Sequence, residues 1–265
     1  MTRPEHFALA GAEIQLLDSN PAYAPLIAEQ QAVARELEET PMARSSHQTV
    51  HVDLWTRDGL EWDAPENADN LHRRDEVLSA LADAPLLDLG CGDEPSYSQF
   101  RRFVQQYGPS MYIGINNVAT DAPEDRQEIA EFGTVWPLSD DEALAPGVMV
   151  RGDMLEVLSR LPAGFNVSLN GVDEYMVETK TRTGERAPYA AAIVAEIIRV
   201  TAPGNVVFGV TKEAGLLARL AESGAFDVTF VQLPPEESAM PPLPSIPFGE
   251  QDGYYLMVRR ESNEA

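Results

Sequence analysis

One short run does more than any other stretch to restrict what this chain can fold into: Leu86-Leu87-Asp88-Leu89-Gly90-Cys91-Gly92. Apolar residues around a single acid read as the end of a buried strand. Two glycines two positions apart then let the backbone turn sharply and come close to a ligand. Asp93, Pro95 and Ser96 follow as turn and helix-start residues, and Tyr97, Phe100, Phe103, Val104 and Tyr107 recur at roughly helical spacing. Strand, glycine turn and helix in this order place a nucleoside-containing ligand at the carboxyl edge of a parallel sheet.

The pattern is not the dinucleotide fingerprint, because Glu94 and Pro95 stand where its third glycine would follow. The acid at Asp88 also lies inside the strand, ahead of the glycines. In this the chain resembles the class I S-adenosylmethionine-dependent methyltransferases, whose first motif reads acid-x-Gly-x-Gly. Two later stretches extend the resemblance. Asn170-Gly171-Val172-Asp173-Glu174-Tyr175 is similar to the family's N-G-V-L-E-H motif. Glu196-Ile197-Ile198-Arg199-Val200-Thr201-Ala202-Pro203-Gly204 is similar to its E-x-x-R-V-L-K-P-G-G run, where a helix turns into a strand. The resemblance covers roughly residues 84 to 260.

It implies a Rossmann-like methyltransferase fold, a seven-stranded, mostly parallel sheet flanked by helices, with a helical N-terminal segment. It also implies S-adenosyl-L-methionine as cofactor. Asp88, Gly90, Cys91 and Gly92 would frame the methionine moiety. Asp153 would accept from the adenine amino group, a role that suits an acceptor-only carboxylate, or cap the helix starting at Met154; the two are compatible. Asn116, Met154 and Asn170 complete the implied cofactor-binding set.

The end of the second strand departs from the family. An acid that accepts both ribose hydroxyls is usual there, whereas this chain has Asn116 and Asn117, with Asp121 the nearest acid. An amide accepts one hydroxyl through its oxygen and presents an NH₂ on its other side. Loss of one charge-assisted bond corresponds to about 1–2 kcal/mol, or roughly five- to thirty-fold in affinity. On this reading Asn116→Asp tightens cofactor binding.

Strand and helix patterns alternate from Ala84 onward. The predicted strands are Ser110–Ile115, Val148–Val150, Phe165–Leu169, Val206–Val210, Phe226–Leu233 and Tyr254–Arg259, with a helix over Tyr189–Val200. Residues 84–265 are read as the methyltransferase-like domain. Residues 1–83 form an N-terminal cap or accessory segment, or alternatively a docking or oligomerisation appendage. Helices are predicted there over Tyr23–Glu39 and from Asp69 or Asn70 to Ala82, with a short strand over Thr49–Thr56. The proline-rich stretch within 234–250 reads as a loop, either a lid or a plain excursion.

The bulk numbers narrow the partners. With 19 basic against 43 acidic residues the formal charge is −24. Such a surface repels polyanions, which disfavours a nucleic-acid substrate, though habitat can produce the same acidity. No apolar stretch is long enough for a membrane span, and the N-terminus lacks the hydrophobic core of a secretion signal. The one cysteine, Cys91, fits a reducing, cytoplasmic setting and reads as packing between two glycines.

Methyl transfer needs an aligned nucleophile more than a battery of catalytic groups. Asp173, Glu174 and Tyr175, just beyond a predicted strand, are the candidate bases; acids there also suit the first turn of a helix. His47 and His51 are four apart but lack a third ligand, so no metal site is expected. Trp55 and Trp62 read as anchors of the N-terminal segment. The leading expectation is a methyltransferase acting on a small-molecule acceptor. The alternative is a catalytically degraded protein of the same fold that serves as an interaction module. Neither the acceptor nor the oligomeric state is readable from the residues.

Overall fold

Eight strands form a single mixed sheet in a computed structural model that describes residues 16–38, 68–92, 96–116, 135–138, 144–170, 187–211, 215–232 and 253–261. They are β1 (Pro85–Leu89), β2 (Met111–Asn116), β3 (Val135–Pro137), β4 (Gly147–Arg151), β5 (Asn166–Asn170), β6 (Val206–Thr211), β7 (Phe226–Gln232) and β8 (Gly253–Arg259). Their spatial order is β3-β4-β2-β1-β5-β6-β8-β7. The five central strands, β4, β2, β1, β5 and β6, are mutually parallel. β3 pairs antiparallel with β4, and β8 runs antiparallel to both β6 and β7.

The helices are α1 (Ala24–Glu38), α2 (Ala68–Leu78), α3 (Ser96–Gln105), α4 (Met154–Arg160), α5 (Ala187–Val200) and α6 (Leu216–Glu222). They cover both faces of the sheet. Leu87, Leu89, Ile113, Ile115, Val148 and Val150 pack with α1, α4, α5 and α6. Leu86, Tyr112, Met149 and Phe208 pack with α2 and α3. Successive strand residues point to opposite faces. A strand covered on both sides must therefore be apolar nearly throughout, and β2 and β4 are buried along their whole length. No helix among the described residues is long and apolar enough to cross a membrane.

The strand count corrects the expected seven. The added strand, β3, is three residues long and ends in Pro137, which erases the usual strand signal. Proline is tolerated because β3 lies at the sheet's edge. Trp136 secures it, 3% exposed within the core on the α2/α3 side. The predicted strands otherwise fall within two residues of those observed. The helix expected to run through Ala82 ends at Leu78, and its last turn tightens to a 3-10 turn over Ser79–Leu81. The predicted strand Thr49–Thr56 and the proline-rich loop lie outside the described residues.

α1 and the segment leading into it are tied to the sheet's helical layer at three levels. The Leu17 N–H donates to Arg160 O at the end of α4 (2.7 Å). The Tyr23 hydroxyl donates to Glu196 Oε1 on α5 (3.0 Å), and Gln31 Nε2 donates to Glu156 Oε2 in the first turn of α4 (3.0 Å). α1 therefore runs antiparallel to α4, toward the carboxyl edge of the sheet. Arg199 closes the opposite end by donating to the terminal carbonyls Leu158 O and Leu161 O at 2.6 and 2.7 Å, as a basic residue does at a helix C-terminus.

Candidate functional site

The chain winds outward from β1 to β2 and β4, then crosses to β5 on the other side of β1. Open α/β sheets bind ligands at such a reversal, beyond the carboxyl ends of the strands that flank it, here β1 and β5. The glycine turn sits there. Gly90 and Gly92 have φ of 69° and 75°, left-handed values that favour glycine. The turn is folded across the end of β2. Gly90 and Cys91 both donate their N–H to Ile115 O, at 2.8 and 3.3 Å, and Asn116 Nδ2 donates to Gly92 O at 3.1 Å. Cys91 is buried, its Sγ lying 3.3 Å from Met149 Sδ. This is the packing role expected of it.

Asp88 stands at the centre of this edge, 3% exposed. Two hydroxyls from the neighbouring strands hold its carboxylate. Tyr112 on β2 donates to Oδ2 at 2.5 Å, and Ser168 on β5 donates to Oδ1 at 2.7 Å. Burial disfavours the charge and pushes the carboxyl up to about 6, against the opposing pull of the two hydroxyls. Tyr112 and Ser168 were not singled out from sequence. The available signal was alternation: Ser168 is in register with Asp88, and both fall between residues that face the α1 side.

Asp153 performs the cap role. Its Oδ1 accepts from Leu155 N and Glu156 N, at 2.9 and 3.2 Å, and its Oδ2 accepts from the Tyr189 hydroxyl on α5 at 2.8 Å. Burial raises this carboxyl to about 6 as well, with Tyr189 and the two backbone bonds opposing the rise. Tyr189 thus couples the start of α5 to the start of α4, a link that no sequence spacing announced. Tyr189→Phe deletes one hydrogen bond to a buried carboxylate. It is expected to lower stability by about 1.5–3 kcal/mol, measurable by urea unfolding at neutral pH.

Of the residues implicated by sequence, Asp88, Gly90, Cys91, Gly92, Asn116, Asp153, Met154 and Asn170 all fall at the carboxyl ends of β1, β2, β4 and β5 or in the turns that follow them. Four adjacent strands set their width at about 14 Å. Asn116, expected on the ribose side, also ties the glycine turn to β2. The NH₂ side of its amide meets the glycine turn, a contact in which an ionised acid has no hydrogen to offer. Met154 is half-buried against the core and opens α4. Asn170, 9% exposed, ends β5. Asp173, Glu174 and Tyr175 lie outside the described residues.

No protein-family model and no curated protein matches the chain. Among solved structures, the chain is similar to the Burkholderia thailandensis 1,6-didemethyltoxoflavin-N1-methyltransferase with bound 1,6-didemethyltoxoflavin and S-adenosylhomocysteine. That match has 14% identity and a TM-score of 0.41, covering 97% of this chain and 99% of that one. A 16S rRNA (adenine(1408)-N(1))-methyltransferase from Catenulisporales acidiphilia matches at 16% identity and a TM-score of 0.39, over 72% and 93%. The precorrin-6y C5,15-methyltransferase of Geobacter metallireducens matches at 12% and 0.40, over 72% and 88%. At these identities and TM-scores the chain takes no activity from them.

Proposed function

We propose that this protein is an S-adenosylmethionine-dependent methyltransferase acting on a small-molecule acceptor. One observation carries the reading: a left-handed Gly90–Gly92 turn lies at the sheet's switch point, beside a buried Asp88, with Asn116, Asp153 and Asn170 on the ends of the flanking strands. The absence of side chains at Gly90 and Gly92 suits close approach of a ligand to the backbone.

In this assignment Gly90, Cys91 and Gly92 would frame the methionine portion, with Asp88 buried behind them and held by Tyr112 and Ser168. Asn116 stands on the ribose side, and the Asp153–Met154 turn stands on the adenine side. Asn170, at the end of β5, would lie on the side of the methyl, which the cofactor would supply in activated form. The chain's own contribution is to align the acceptor and exclude water. For a hydroxyl or amine acceptor, a base must also take up a proton; Asp173, Glu174 and Tyr175, next in sequence after β5, are the candidates. A charge of −24 favours a small acceptor over a polyanion, and a buried cysteine without a disulfide suits a cytoplasmic enzyme.

S-adenosylhomocysteine is expected to raise the melting temperature. A ligand at a hundred times its dissociation constant adds about 2.7 kcal/mol, which corresponds to roughly 5–10 °C for a domain of this size. An unmoved melting curve with millimolar S-adenosylhomocysteine and with the methyl donor itself would remove this reading.

A further inference from the structure

We propose that Asn116 is a positioning residue for the glycine turn, and that the turn's need for a hydrogen-bond donor explains why an amide stands at the end of β2. Three bonds among the described residues attach the turn to β2. Two are backbone bonds onto Ile115 O, available to any sequence; the third is Asn116 Nδ2 to Gly92 O at 3.1 Å. Gly92 is buried and Asn116 is 4% exposed, so water cannot readily replace the bond, and the other donor at Gly92 O, the Cys91 thiol at 3.7 Å, is a weak one. An ionised aspartate in the same place would set a carboxylate oxygen against that carbonyl. A protonated aspartic acid has an O–H of nearly the same reach and would restore the contact.

This chemistry gives Asn116→Asp a pH signature that separates two roles. If position 116 serves the ribose as an acceptor, the ionised acid improves binding and the advantage grows with pH. If it serves the turn as a donor, the ionised acid opens the turn and acidification closes it. Among the described residues, the titratable and charged groups on this face are the Cys91 thiol, Tyr112, Arg151, paired with Asn116 across β2 and β4, and Asp88, opposite Gly114 two residues back. Arg151 favours the ionised form of a new aspartate and burial favours the neutral one. Asp88 titrates in the same range, so Asn116→Ala, which keeps Asp88 but offers no donor at any pH, serves as the reference.

Cys91 is the one cysteine in the chain and lies within the turn, so its rate of labelling by a small aromatic disulfide reports opening without any ligand. Relative to wild type at each pH, Asn116→Asp is expected to label about tenfold faster at pH 8. That ratio should fall toward one as acidification protonates the new carboxyl, while Asn116→Ala stays fast throughout. A new carboxylate beside the thiol would itself slow labelling, so acceleration reports opening. Circular dichroism establishes that both variants fold.

The affinity arm rests on the methyltransferase reading. Asn116→Asp should bind S-adenosylhomocysteine about tenfold more weakly than wild type at pH 8, with the gap closing on acidification. Wild-type labelling of Asn116→Asp at pH 8, or labelling that stays fast at low pH as in Asn116→Ala, overturns the proposal. Tighter binding at high pH does the same. If the labelling pattern holds but wild type binds no S-adenosylhomocysteine, the cofactor reading fails and the positioning role stands.

Discussion

Asp88→Asn is expected to stabilise the protein by about 3 kcal/mol at pH 7.5 and by almost nothing at pH 4. The folded state holds this carboxyl at about 6, against 3.8 for the free group. Each unit is worth about 1.36 kcal/mol of difference between the two protonation states. Because the folded value is raised, the associated stability is fully present below the unfolded value. It is lost as pH climbs from about 4 to about 6, where the native state binds the extra proton. An asparagine keeps one acceptor for one hydroxyl and turns its NH₂ to the other, and a hydroxyl can accept as readily as it donates. Tyr112 and Ser168 therefore both retain partners.

Urea unfolding of both proteins at several pH values checks this, and the difference between them is the quantity to read. The strong net negative charge and the similarly raised Asp153 also favour folding at lower pH. They act equally on wild type and variant and so cancel in that difference. A variant less stable than wild type at both ends of the range would mean that the two hydroxyls outweigh burial.

The same carboxylate shows where sequence reading stops. The alternation and apolar runs of β1, β2, β4, β5 and β6 were legible because a strand buried on both faces must be written almost wholly in apolar residues. Asp88 stood out for that reason, as an acid where an apolar residue was due. Its partners did not stand out, since a tyrosine 24 residues away and a serine 80 residues away become neighbours only once strand order and register are fixed. β3 was illegible for a different reason: three residues ending in proline carry too little pattern. Asn116 was recognised as a departure, but its role depended on which side of the amide met the turn. Residue identity alone does not decide that.

Gly114 offers the sharpest test of how tightly the turn is seated, and it is expected to behave as half of a compensating pair. Gly114 lies in β2 opposite Asp88. A Cβ added there would come within 2.9 Å of Cys91 Sγ and 3.0 Å of Met149 Sδ. Met149 ends in a flexible thioether that can swing aside. Cys91 is short and only 6% exposed, so its sulfur has little room to rotate without disturbing the turn. Gly114→Ala is therefore expected to lower stability by about 1–3 kcal/mol and to weaken S-adenosylhomocysteine binding by roughly thirty-fold or more. Cys91→Ala alone removes one buried sulfur and should cost about 1 kcal/mol, with little effect on affinity. Combined, the two changes exchange the sulfur for the new methyl in nearly the same space, so the double variant should recover most of the lost affinity. Calorimetric titration of all four proteins closes the cycle, and a favourable coupling above about 1 kcal/mol is expected for groups in contact. If the double variant binds no better than Gly114→Ala, then the methyl displaces Met149 instead, and the seat of the glycine turn does not depend on the bare face of β2.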